Sequence, residues 1–252
     1  MKLFVGAATL PKKGNSAEEN EDAYAPPVVQ GLKSVPFHCA VADGATETSY
    51  SALWAKLLVD CFCSIEEPSL FDDQLPSLRE SWKTATSSKP LPWYAEQKLE
   101  KGAFATLLGV RITEGEFPYL RWQAIAVGDS VLFHVRACEI VATFPTLASE
   151  DFKSRPMLLA TNILETDAER KELYRRAEGV LEAGDRLYLA TDKIAEWIVR
   201  SLENDTKPFV QLDQVVRTEG SFAALVEHLT QHNELRNDDY TLLWVEAHNE
   251  EI

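Results

Sequence analysis

Between Phe104 and Phe144 the chain passes through four β-like segments in close succession. They are Phe104–Ile112 (FATLLGVRI), Tyr119–Val127 (YLRWQAIAV), Val131–Val135 (VLFHV) and Glu139–Phe144 (EIVATF). Gly115 and Gly128-Asp129 mark turns between them, and β-branched and aromatic residues fill the strands. Strands are also predicted at Leu3–Leu10, Pro36–Ala42, Arg186–Thr191 and Tyr240–Glu246. Helical spacing runs through Thr48–Phe62, where Leu53, Trp54, Leu57, Leu58, Cys61 and Phe62 share a face, and through Ile194–Leu202 and Ser221–His232. Leu75–Thr86, Trp93–Lys101 and the charged stretch Asp167–Ala177 read as further helices, and the acidic Ser64–Asp73 as a loop. Strands, then helices, then a block of strands, then helices mixed with strands favour an antiparallel α+β sandwich over regular βαβ alternation. With 252 residues, the expectation is a single domain over residues 1–252, large enough to bury its own core.

Lys plus Arg total 25 against 40 Asp plus Glu, for a formal net charge of −15. Such a surface repels phosphate backbones and anionic lipid, which argues against nucleic-acid and membrane-surface binding. Cys39, Cys61, Cys63 and Cys138 lie in apolar runs without paired C-x-x-C spacing, so neither structural zinc nor a disulfide framework is expected. The opening MKLFVGAATLPKKGN has only Lys2 as an early charge and its apolar stretch stops at Pro11, unlike a secretion signal; no run approaches membrane-spanning length. A cytoplasmic protein is expected.

The acidic residues are placed in a pattern. Asp43 follows PFHCAVA, Asp129 follows AIAVG, Asp192 follows LYLAT, Asp238-Asp239 precede YTLLWVE, and Glu21-Asp22 sit in ENEDAY. Any one of these is by itself a turn former or helix cap. Together, charges at the ends of buried strands are costly unless paired or metal-bound, and converging strand ends would make an oxygen-rich cage for hard divalent cations.

Six short motifs carry a family resemblance: Asn20-Glu21-Asp22-Ala23, Val41-Ala42-Asp43-Gly44, Gly102-Ala103-Phe104-Ala105-Thr106, Val127-Gly128-Asp129-Ser130, Ala190-Thr191-Asp192 and Asp238-Asp239-Tyr240-Thr241. In this order the chain resembles the metal-dependent serine/threonine protein phosphatases of type 2C, the PPM family. The resemblance implies a four-layer α-β-β-α sandwich of two antiparallel sheets flanked by helices, with two or three Mn2+ or Mg2+ ions at one end. It implies that Asp43 bridges two ions with the Gly44 carbonyl as a further ligand, and that Asp192 and Asp238 complete one site. Glu21 or Asp22 would hold the second ion, and Asp129 would belong to a looser third region. Gly102–Thr106 would pack without a chemical role. The implied reaction is hydrolysis of phosphoserine or phosphothreonine in a phosphoprotein by a metal-activated water. No Cys-x5-Arg loop or G-x-S-x-G elbow offers a covalent nucleophile.

The chain departs from the family pattern at several positions. Ala17 stands where a phosphate-clamping Arg is usual, with Lys12 and Lys13 nearby as substitutes that lack the bidentate fork. Ala45 replaces a proton-donating His found in some members. Lys193 replaces a Gly; it either leans over the cluster as a phosphate ligand or, as the preferred expectation, turns outward. Asp239 stands where Asn is usual, which makes Asp238 the ligand position and Asp239→Asn an expected silent change. These departures motivate an alternative: a weak or inactive phosphatase-like module that binds a partner or phosphoprotein. His228 and His232 are expected on an exposed helix face, and His38, His134 and the six tryptophans in the core. Oligomeric state is left open.

Overall fold

The fold is set by strands whose two faces answer to different neighbours. In the computed structural model, residues 1–27, 30–46, 50–87, 101–162, 172–218 and 220–249 are described. In chain order the strands are β1 (Lys2–Leu10), β2 (Asp22–Ala25), β3 (Gly31–Lys33), β4 (Phe37–Asp43), β5 (Phe104–Ala105), β6 (Leu107–Glu114), β7 (Leu120–Val127), β8 (Val131–Arg136), β9 (Glu139–Phe144), β10 (Leu159–Ala160), β11 (Arg175–Leu181), β12 (Arg186–Ala190) and β13 (Tyr240–His248). The helices are α1 (Ser51–Ser64), α2 (Phe71–Ser87), α3 (Asp192–Glu203), α4 (Pro208–Arg217) and α5 (Ser221–Gln231).

One large sheet runs β3-β1-β13-β12-β8-β9 and a second β11-β7-β6-β4-β2, with β10 and β5 as a separate pair, and every neighbouring pair is antiparallel. Period-two patterning assigns each strand face to a layer. On β13, Leu243, Val245 and Ala247 join Cys39, Val41, Val110 and Trp122 in the core between the sheets. Tyr240, Leu242 and Trp244 of the same strand face the other way, against Trp197 and Ile198 of α3 and Phe209 and Leu212 of α4. On the second sheet, Ala40, Ala42 and Ile125 pack beneath Trp54, Leu58 and Phe62 of α1 and Leu75 and Trp82 of α2. Small residues on that strand face let the large aromatic side chains of the helices approach. Three cores between four layers make the α-β-β-α sandwich that the motifs imply.

Most elements lie where the periodicity places them. The segment Asp167–Ala177 does so only in part: residues 163–171 lie outside the described part, Glu172 and Leu173 are helical, and Arg175–Ala177 begin strand β11, paired with Ile125 and its neighbours on β7. The charges there belong to an exposed sheet edge, where Arg121 pairs with Glu178 across the strands, and charged edges resist further strand pairing. The predicted loop Ser64–Asp73 is shorter than expected, because α2 already begins at Phe71. Helix α4 was not anticipated, although Pro208 at its first turn and Phe209, Leu212, Val215 and Val216 on its buried face are a helical signature. Trp93–Lys101 lies outside the described residues except for Lys101. The four cysteines are free. Among the described residues no helix is long and apolar enough to cross a membrane.

Candidate active site

Asp22 and Asp43 stand directly opposite each other on neighbouring strands, so their side chains leave the same face of the sheet. The β4–β6 pairing ends at Val41, and beyond it the chain is held by polar contacts. The Asp43 amide donates to Thr106 Oγ1 at 2.8 Å, and the Thr106 amide returns a bond to the Asp43 carbonyl at 2.9 Å. Thr106 Oγ1 also lies 2.9 Å from Ser130 Oγ, beside Asp129. Thr106 therefore does more than pack: it ties the loops of Asp43 and Asp129 together. Between those loops, Gly128 has a φ of +99°, and an added Cβ would fall 2.6 Å from Thr106 Cγ2.

From the other sheet come Thr191 and Thr241. The Thr191 amide bonds the Thr241 carbonyl at 3.1 Å, and the Thr241 amide bonds Thr191 Oγ1 at 3.0 Å. Thr191 precedes α3 in the N-cap position, but its hydroxyl donates to Asp22 Oδ2 at 2.8 Å and does not cap the helix. The bond joins the two sheets at their site-bearing ends. Asp192 follows as the first residue of α3, where exposed amide dipoles favour an anion.

Glu21 is held by its backbone and by its carboxylate. Its amide donates to Asp239 Oδ2 at 2.8 Å, Ser51 Oγ donates to its Oε1 at 2.6 Å, and Lys12 Nζ lies 3.8 Å from its Oε2. Asp239, 5% exposed, also accepts the Lys12 amide at 2.7 Å. An Asn has only one side-chain acceptor atom for these two donors. Asp239→Asn is thus expected to destabilise the fold by about 1–3 kcal/mol, measured by urea denaturation; unchanged stability would show that the Lys12–Glu21 segment is not held this way. Gly44 is confined more tightly still: an added Cβ would meet Glu21 O and the Ser51 carbonyl carbon, both at 2.8 Å. Gly44→Ala should cost about 1–3 kcal/mol and displace Glu21. A variant melting like the parent, with unchanged Mn2+ affinity, would refute this.

The carboxylates sense one another. Burial, then repulsion from Asp22, Asp192 and Asp129, raises Asp43 well above the ordinary Asp range, with Lys193 opposing. Asp22 is raised well above that range by burial, against hydrogen bonds from Thr191 and Thr241 and with repulsion from Asp192 and Asp239. Asp129 is pushed up to about 7 by burial and Asp192. Asp192 is also raised, burial leading and Lys193 opposing. The structure thus brings Asp22, Asp43, Asp129, Asp192 and Asp238 into one neighbourhood, with Glu21 beside Gly44, whose amide bonds the Glu21 carbonyl at 3.2 Å.

Lys193 does not turn outward. Its ammonium is bonded to Asp192 Oδ2 and lies 3.3 Å from Asp238 Oδ2, with the side chain 18% exposed. The other basic candidates are less central. Lys12 points its amine at Glu21, whereas Lys13 is exposed and tied by its backbone to Asn237 Oδ1 at 2.7 Å. Ala17 opens an exposed helical turn. His228 on α5 and His232 at its C-terminal cap are exposed, while buried His134 bonds Asp185 at 2.8 Å away from this cluster. Thr106, Thr191 and Ser130 carry no site role in the sequence reading, though each lies within one of the quoted motifs. Ser51 lies outside those motifs, with no sequence signal of its own.

The donor chemistry matches a hard divalent ion only in part. Glu21 Oε2 and Asp129 Oδ1 are buried oxygens without a hydrogen-bond partner, and Asp129 is 9% exposed. All candidate donors are oxygens, the ligand type of Mg2+ and Mn2+. Yet no three His, Cys, Asp or Glu side chains among the described residues are gathered as a metal cage, and Lys193 already occupies Asp192 and Asp238. Beside Asp129 a cleft of about 560 Å³ opens, lined also by Phe144, Leu147, Arg155, Met157 and Arg175.

The protein phosphatase 2C family profile matches residues 13–234, and the chain belongs to that family. No curated protein matches the sequence. Solved structures agree on the fold. The Mycobacterium tuberculosis serine/threonine phosphatase PstP/Ppp has a TM-score of 0.60 at 14% identity, covering 99% of this chain and 100% of that one. The catalytic domain of PstP in complex with 2 manganese ions gives 0.59 at 15% identity, covering 98% and 100%. PppA, a regulatory component of the type VI secretion system in Pseudomonas aeruginosa, gives 0.55 at 16%, covering 98% and 100%.

Proposed function

We propose that this chain is a divalent-metal-dependent phosphatase that hydrolyses phosphoserine or phosphothreonine esters in protein substrates. The observation that carries the reading is the convergence of Asp22, Asp43, Asp129 and Asp192 from both sheets of a type 2C fold. Glu21, Asp22, Asp43, the Gly44 carbonyl and Asp129 would hold Mn2+ or Mg2+. When bound, such an ion supplies a water of lowered pKa and neutralises phosphoryl oxygens.

The protein's own groups do the remaining work. Thr106 fixes the backbone that carries Asp43 and Thr191 fixes the Asp22 carboxylate itself, so both acids are positioned before substrate arrives. Arg155 and Arg175 in the neighbouring cleft would receive an anionic substrate. Ala45 cannot donate a proton, so the serine or threonine oxygen takes its proton from solvent.

Hydrolysis of p-nitrophenyl phosphate and of a phosphothreonine peptide, with millimolar Mn2+ and with chelator, tests the proposal. Metal-dependent release of phosphate from both is expected. Absence of turnover in all conditions would overturn it and leave a phosphoprotein-binding module of the same fold.

A further inference from the structure

We infer that Lys193 is a built-in cation that takes the place of one divalent ion, so the chain binds one ion fewer than its carboxylates would otherwise hold. This rests on the phosphatase reading for the location of the site, not on turnover.

Three observations converge. The Lys193 ammonium is bonded to Asp192 Oδ2 and lies 3.3 Å from Asp238 Oδ2, so it stands between carboxylates from two different elements. Its side chain is 18% exposed, folded back over the start of α3 and largely withdrawn from water. Oxygens lacking a hydrogen-bond partner lie instead on Glu21 and Asp129, away from the lysine pair. The cluster is thus divided into a part bonded directly by Lys193 and a part whose oxygens are left open, with Lys12 no nearer than 3.8 Å to Glu21 Oε2.

An ammonium and a metal ion cannot share this position. A divalent ion would need the Asp192 and Asp238 oxygens for itself, at close range, and would repel the ammonium. To admit an ion, Lys193 must leave both carboxylates and carry its charge elsewhere. A side chain tethered to α3 has a high effective concentration at its own first turn, which favours the lysine over an ion from solution.

Bound Mn2+ is to be counted by calorimetric titration and electron paramagnetic resonance on the full chain, comparing the parent with Lys193→Met and Lys193→Gly. Each variant should bind one additional Mn2+ per chain, melt below the parent without metal, and gain more on adding Mn2+. Adding Asp238→Asn to Lys193→Met should remove the additional ion. A second measurement uses the unaltered protein: the Lys193 ammonium signal in nitrogen NMR should stay protected and unshifted at saturating Mg2+. Equal Mn2+ counts in parent and variants, or an ammonium signal released by Mg2+, would overturn the inference while leaving the phosphatase reading intact. The expected counts without phosphate release by the parent or any variant would overturn the phosphatase reading alone. Failure of parent and variants alike to bind Mn2+ would overturn both.

Discussion

Replacing Asp43 by Asn should lower kcat/KM for p-nitrophenyl phosphate by more than about a hundredfold, the scale seen when one preorganised electrostatic contact is lost from a reaction centre. Asp43 is placed for the largest effect because Asp22, Asp192, Asp129 and Lys193 all act on its carboxyl group. Its backbone bonds to Thr106 do not involve the carboxylate, so the variant should fold. Without metal it should melt at or above the parent temperature, because a buried charge crowded by like charges has been removed. Mn2+ affinity should fall together with turnover. A variant that retains activity, or that loses stability without losing Mn2+ affinity, would place the reaction centre elsewhere.

The metal-free protein should gain stability on acidification over a range where most proteins do not, and added Mn2+ should reverse the trend. Asp22, Asp43 and Asp192 are raised above their ordinary values and Asp129 to about 7. The folded state therefore binds protons more readily than the unfolded chain at these groups. Their favourable contribution is complete below the unfolded Asp value of about 4 and is lost as pH rises through the raised folded values. Each tenfold difference in proton affinity is worth about 1.4 kcal/mol, so even the rise of Asp129 to about 7 makes a measurable contribution. His38 opposes this: burial lowers its pKa, so its contribution is present above about 6.5 and declines on acidification. Asp185, Asp213, Glu18 and Glu203 have lowered pKa values and oppose the trend as well, but only as pH falls below the ordinary carboxylate range of about 4. Between pH 5 and 8 the half-buried His38 stands against four raised carboxylates.

Mn2+ needs those carboxylates ionised, so its stabilisation grows with pH. At a hundred times its Kd an ion bound only by the folded state adds about 2.7 kcal/mol. Thermal melts between pH 5 and 8, with Mn2+ and with chelator, give the comparison. A chelated protein that melts higher at pH 8 than at pH 5 would contradict the crowding of the carboxylates.

The strands were legible because burial on both faces leaves little freedom in composition. In β12 all five residues Arg186–Ala190 are buried, and RLYLA reads as a strand in isolation. The reading failed where an element's role is lateral. Charged Arg175–Ala177 looked helical because an edge strand has no second neighbour to demand apolar residues. Helix α4 escaped notice because its short apolar face is completed only by packing against Phe133 and Tyr188.

The linear order of residues was enough to nominate Glu21, Asp22, Asp43, Asp129, Asp192 and Asp238 as candidates, since a buried strand that ends in a charge stands out against its own apolar run. It was also enough for the antiparallel α+β class, because side-chain alternation is a property of the extended backbone, whereas the arrangement of two sheets flanked by helices came from the family resemblance. Which hydroxyls hold these acids in place was settled by folding alone: Thr191 reaches Asp22 across 169 positions, and Ser51 reaches Glu21 across 30. Asp239 likewise turned out to anchor two amides, a role its neighbours in sequence do not announce. The direction of Lys193 belongs with these. A lysine stem can swing toward solvent or inward, and the field of carboxylates assembled from two sheets and a helix start draws it inward.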